Sequence, residues 1–166
     1  MFSVNDYVFY GLRGVCRVTD ICPCPFDKKD PRQYYILKPI GVQSGAIFYA
    51  PVDNVTLPLR ALLTKEESMA LLARIPQISE LNGMPDKQRR DMCRNALADN
   101  DPDSYVRVIK TLSRRREKLE QSGHQLSARE ADLERMARLH LLTELSVSLE
   151  QPAEWVETRL EEALLA

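Results

Sequence analysis

The sequence predicts an α+β protein: a small five-stranded β-barrel over residues 1–62, then an all-α domain of about five helices over residues 63–166. Three observations carry this. Nine of the eleven aromatic residues and six of the ten prolines precede residue 60. Helix-start signals are nearly absent before that point and recur after it. Apolar spacing changes there from the short alternating runs of strands to the 3.6-residue period of amphipathic helices.

In the first region the candidate strands are Tyr7 to Tyr10, Gly14 to Ile21, Gln33 to Lys38, Ala46 to Ala50 and a short Val55 to Leu59. Gly11-Leu12-Arg13-Gly14 and the stretch from Gly41 to Gly45 supply turns. Pro51 and Pro58 would each remove a ladder N–H, so they belong at strand ends or on an edge. Of the four cysteines, Cys16 suits a small core, and Cys22 and Cys24 suit a strand end or Pro-rich loop. Cys22-Pro23-Cys24 is the only tight pair, and His124 is the first histidine, so the spacing argues against a structural metal site.

The helices follow from local chemistry. Thr64-Lys65-Glu66-Glu67 reads as a capping box before Met69, Leu71 and Leu72, and Pro76 ends that helix. Asp86 opens a second helix to about Ala98. Asp101-Pro102 places a cap residue before a proline at the first helical position, and the helix so opened stops at Gly123. Ser127-Ala128-Arg129-Glu130 reads as another capping box, for a helix reaching Leu149. Its half from Met136 to Leu149 is apolar on several faces, as the central helix of a bundle would be. Pro152 opens the last helix, with Trp155, Val156, Leu160 and Leu164 along one side; Trp155 reads as core.

The net charge of -1 conceals a segregation. Lys87 to Lys118 holds ten basic and five acidic residues, whereas Thr143 to Ala166 holds one basic and six acidic. On the third helix Tyr105, Ile109, Leu112 and Leu119 share one face, and Arg107, Lys110, Arg114 and Lys118 form a stripe on another, about 16 Å long at 1.5 Å per residue. Lys87, Arg90 and Arg94 make a shorter stripe on the second helix. Such stripes are either solvated faces or a surface for a polyanion, which rewards cations that release its counterions together. The acidic last helix is a candidate shield for them in the free protein.

No phosphate-loop, dinucleotide, zinc-protease or serine-hydrolase motif is present. His124 reads as a cap neighbour and His140 as a core histidine, while Glu66-Glu67 and Glu161-Glu162 point to different helix sides. Catalysis and cofactor binding are not expected. No apolar run is long enough to span a membrane and the amino terminus has no signal-peptide pattern, which together predict a cytoplasmic protein.

Phe2-Ser3-Val4-Asn5-Asp6-Tyr7-Val8-Phe9-Tyr10-Gly11, Gly14 to Val18, Tyr34 to Pro39 and Tyr49-Ala50-Pro51-Val52-Asp53-Asn54 resemble the CarD/CdnL family of bacterial transcription regulators. Val108 to Leu112, Leu126 to Glu130 and Leu142 to Leu145 are similar to that family's third and fourth helices. The resemblance implies a Tudor/SH3-like barrel, shared with the transcription-repair coupling factor, that binds the RNA polymerase β subunit. It also implies a helical domain that contacts promoter DNA with little sequence preference and changes open-complex stability. An edge strand from Ala46 to Ala50, with Ile47, Phe48 and Tyr49, is the candidate polymerase contact.

Family members place a tryptophan wedge near the start of the second helix, followed by basic residues. The matching stretch, Asn82-Gly83-Met84-Pro85-Asp86-Lys87-Gln88-Arg89-Arg90, has no aromatic; Met84 is a smaller candidate wedge. What carries over is basic: Lys87, Arg89, Arg90 and Arg94, to which the third helix adds Arg107, Lys110, Arg114 and Lys118. The rival expectation is an adaptor whose basic face meets an acidic protein and never DNA. An RNA-binding module is a third, less supported by the arrangement of the aromatics.

Overall fold

The computed structural model describes residues 1–41, 45–53 and 59–166, which divide into two compact units, Met1–Leu62 and Leu63–Ala166. The first is an antiparallel sheet of β1 (Tyr7–Phe9), β2 (Val15–Pro23), β3 (Gln33–Pro39), β4 (Phe48–Pro51) and β5 (Arg60–Ala61) in the order β4-β3-β2-β1-β5. A 3-10 turn, Gly11–Arg13, joins β1 to β2, with Gly11 and Gly14 both at positive φ where a side chain would strain the backbone.

The strand period of two sets the core. Val8, Tyr10, Cys16, Val18, Tyr35, Leu37 and Ala50 are buried together, with Phe2, Ile21, Phe48, Val52 and Leu59 packed against them. Register shifts between Val18 and Asp20, a bulge at which Thr19 Oγ1 donates to the Ile36 carbonyl (3.1 Å) and which strengthens the local twist of the sheet. Among the described residues β4 and β5 are the two outer strands and do not pair with each other. The unit is therefore barrel-like in its enclosed core without being a closed barrel. The fifth strand of the sheet is Arg60–Ala61, while the expected strand from Val55 to Leu59, apart from Leu59 itself, and 42–44 of the second expected turn lie outside the described residues.

The second unit comprises α1 (Lys65–Arg74), α2 (Asp86–Ala98), α3 (Pro102–Gln121), α4 (Ala128–Leu149) and α5 (Ala153–Leu165), with a 3-10 turn at Ile75–Gln77. Thr64 and Glu67 form a full capping box, and Asp101 caps α3 ahead of Pro102. Gly123, at φ 76°, ends α3 while the His124 N–H reaches back to the Leu119 carbonyl. Ser127 Oγ accepts from the Glu130 N–H, but the Glu130 carboxylate turns to arginines instead of closing a box. The helix α4 packs against α1, α2, α3 and α5, burying Ala137, Leu141, Leu145 and Leu149. Glu144, fully buried on the same helix, accepts from the Leu63 N–H (3.0 Å). Trp155 is a departure: it is half-buried, beside Met69, Leu72 and Pro76 in a groove, with the Arg159 guanidinium 5.0 Å from its ring centre. The last helix's Glu161 pairs with Arg138 and Glu162 with Arg159.

His140 of α4 lies 6.3 Å, centroid to centroid, from the Tyr105 ring, and burial pushes its imidazole down to about 4. The unfolded chain takes up a proton near pH 6.5 and the folded unit only near 4, so stability should fall as pH drops between these values. The loss attributable to His140 is about 2 kcal/mol once the part still facing water is discounted. Urea unfolding at pH 7 and pH 4.5, in the parent and in His140→Leu, checks this: the pH-dependent loss should shrink in the variant.

Candidate functional site

The outer face of the sheet carries an aromatic cluster built by strand parity. Phe48 and Ala50 of β4 point to the core, so Tyr49 points out, opposite Ile36 in the β3 register, and Ile47 just before the strand is exposed as well. Phe48, also expected as a contact residue, is half-buried and packed edge-on against Tyr10 (6.4 Å), with the Arg13 guanidinium 4.6 Å from its ring centre.

The residue that sequence reasoning missed is Phe26, in the β2–β3 connection and 71% exposed. Its ring meets Tyr49 edge-to-face at 5.0 Å and Tyr34 at 6.4 Å. The connection presenting it is held by short-range bonds: Asp27 accepts from the Lys29 N–H, and Asp30 accepts from both the backbone and the guanidinium of Arg32. Arg32 thereby holds the Asp30 carboxyl well below the usual carboxylate range. A large exposed ring fixed against two others is a preformed apolar anchor, and β4 beside it is an outer strand among the described residues. The available signal was an aromatic between Pro25 and the polar Asp27-Lys28-Lys29, where turn chemistry needs none.

In the helical unit the basic stripe of α3 divides. Arg107 Nε donates to the Ser79 carbonyl (3.0 Å), Lys110 Nζ donates to the carbonyls of Ile75 and Ile78, and Arg114 pairs with Glu80 (2.8 Å). Thr111 joins this side, accepting from the Leu81 N–H (2.9 Å). These side chains thus fasten the connection between α1 and α2 onto α3. Lys110 is buried, and that burial lowers its ammonium pKa, so it is not a surface cation. Arg89 is buried as well: it is 7% exposed and bonds Glu130 (2.7 Å) and Asp86 (3.0 Å). Inside the unit both cations are buried and bonded to internal partners.

Lys87, Arg94 and Lys118 are exposed and Arg90 half-buried, and among the described residues none of the four has an ion-pair partner. Arg107 and Arg114 remain exposed beyond their anchors. The Asp86 carboxyl is held below its ordinary range first by the Arg89 hydrogen bond and then by Arg115 and Arg90, so the start of α2 and the middle of α3 converge there. Arg89, Arg114 and Lys118, together with Arg115, line one cavity beside Asn82, Gly83 and Met84. Met84, the expected smaller wedge, is half-buried in that wall.

Among the described residues no group of three or more His, Cys, Asp or Glu side chains could hold a metal ion. No helix there is long and apolar enough to cross a membrane. Residues 2–63 match the CarD-like/TRCF RID domain, an RNA polymerase-interacting domain family. No curated protein matches the chain.

Proposed function

From the premise that its amino-terminal unit belongs to the CarD-like/TRCF RID family, we propose that the protein is a non-enzymatic transcription regulator that docks on the RNA polymerase β subunit and holds nearby promoter DNA with its helical unit. The observation that carries this reading is the family match over residues 2–63, supported by the outer strand β4 and the Phe26–Tyr49 anchor. Strand addition along β4 would give the docking its main-chain bonds, and the aromatic pair would give it a desolvated centre. In this reading the exposed cations Lys87, Arg94, Arg114 and Lys118, with the half-buried Arg90, contact phosphates without reading bases. Stability of the open complex would then change because DNA contact and polymerase contact reinforce each other through one tether.

Binding of a fluorescent duplex by the full chain at 50 to 200 mM salt tests the DNA half. Affinity should fall steeply with salt, and Lys87→Ala/Arg90→Ala/Arg94→Ala should reduce the slope of log K against log salt by roughly 2–3. Salt-independent or absent binding by the folded chain would remove it. One observation favours a second reading, an adaptor that meets an acidic protein: three members of the α3 stripe are anchored to the α1–α2 connection, leaving fewer cations for a polyanion.

A further inference from the structure

Two thiols meet on the outer face of the sheet. Ile21 and Tyr35 oppose each other in the core, so by strand alternation Cys22 and its register partner Tyr34 point outward. Cys24 follows two residues later, and its thiol lies within hydrogen-bonding reach of the Tyr34 hydroxyl. Both cysteines are free and half-buried, and both stand beside one tyrosine. That hydroxyl is itself fixed: it accepts from the Arg32 guanidinium (3.0 Å) and donates to the Asp30 carboxylate (3.2 Å).

The backbone between the thiols sets what can join them. Cys22 precedes Pro23 and Cys24 precedes Pro25, and a residue before proline is held extended. At a strand's rise of about 3.3 Å per residue their Cα atoms stand about 6.6 Å apart, near the upper end of the roughly 4.4–6.8 Å that a disulfide tolerates. Closing an S–S bond would bend the strand end at Pro23, which forms the last rung of the ladder with Gln33. A bridging ion asks less of the backbone, since two metal–thiolate bonds of about 2.3 Å leave the sulfurs up to about 4.6 Å apart. The donor count then selects the ion. Among the described residues no third His, Cys, Asp or Glu joins the pair, so a tetrahedral zinc site is short of ligands. A soft monovalent ion of the copper(I) class is satisfied by two thiolates, the ligand type it prefers. The pair so loaded keeps one surplus negative charge, and the Arg32 guanidinium stands one hydrogen bond away through the Tyr34 hydroxyl.

We propose that Cys22 and Cys24 form a two-coordinate site for a soft monovalent metal ion, with copper(I) as the type. Each thiol gives up its proton as its sulfur binds, so one ion releases two protons and no electron is transferred. A spacing too sparse for a four-ligand structural site is sufficient for a two-ligand one. The site needs only the sheet unit and stands whether or not the polymerase and DNA readings hold.

The test is titration of the full chain, reduced and kept free of oxygen, with copper(I) held by bathocuproine disulfonate, whose colour falls as the protein takes the ion. Each chain should take up a single ion, and the loaded chain should resist iodoacetamide at Cys22 and Cys24, whereas zinc(II) at the same concentration should protect neither. Cys22→Ser and Cys24→Ser, with circular dichroism as the folding check, should each weaken uptake by more than about 100-fold, beyond the roughly 10–100-fold that losing a supporting partner costs. Tyr34→Phe, which removes only the neighbouring hydroxyl, should stay within that lesser range. Affinity that survives either serine replacement overturns the site. One ion shared between two chains overturns it as well, because the pair would then not suffice alone, and so does unchanged alkylation of the loaded chain.

Discussion

Glu130→Ala should lower the unfolding free energy of the helical unit by about 3–5 kcal/mol, the cost of breaking a buried ion pair from one side. The Glu130 side chain is 3% exposed and accepts from Arg89, itself almost fully buried, at 2.7 Å. Truncation leaves the Arg89 guanidinium inside the unit with only Asp86, whose own carboxylate is mostly in water. The penalty is therefore the stranded cation and not the small net value of the pair. A double replacement, Arg89→Leu with Glu130→Leu, should recover most of the loss, because it removes both charges at similar volume. Guanidinium denaturation of the three proteins reads this directly. A single-variant loss below about 1 kcal/mol would show that Arg89 finds water or another carboxylate.

Phe26→Ala with Tyr49→Ala should weaken capture of the polymerase β-subunit lobe by at least about 100-fold while leaving the sheet folded, because central aromatic anchors carry about 2 kcal/mol or more each. The two rings lie 5.0 Å apart, and both lie outside the core cluster. Phe48→Ala is the contrasting substitution. Phe48 packs against that core and meets Tyr10 edge-on, so its loss should lower stability first. Titration calorimetry of the full chain against the lobe, with far-ultraviolet circular dichroism as the folding check, separates the two. Unchanged affinity in the double variant would move the docking surface elsewhere on the unit.

The helices were legible because their ends carry their own chemistry: Thr64 with Glu67, Asp101 before Pro102, and the left-handed Gly123 each specify a terminus within a few residues. The sheet was legible through its aromatics, prolines and turn glycines, which mark where strands begin and end, and of its core only Cys16 was named; the structure adds Val8, Val18 and Leu37 beside it. The candidate site was read less well. Helical periodicity tells which face Lys110 occupies but not what covers that face, and the cover is an aperiodic connection whose carbonyls have no sequence signature. A cation that caps carbonyls and a cation that awaits phosphate look alike in a string of letters. Phe26 was hidden for the converse reason, since its partners Tyr34 and Tyr49 come from two other strands and only pairing register brings them near it.

Each unit encloses one thiol that chemistry can interrogate. Cys16 in the sheet and Cys93 in α2 are both free and fully buried, and burial pushes them up to about 12 and about 11. At neutral pH neither presents a thiolate, so an alkylating reagent gains access only during an opening event. Cys22 and Cys24, half-buried at the end of β2, should react faster because they need no opening event. The chain thus carries a built-in clock in each unit, and the two labelling rates report how often the sheet and the helical bundle come apart independently of one another.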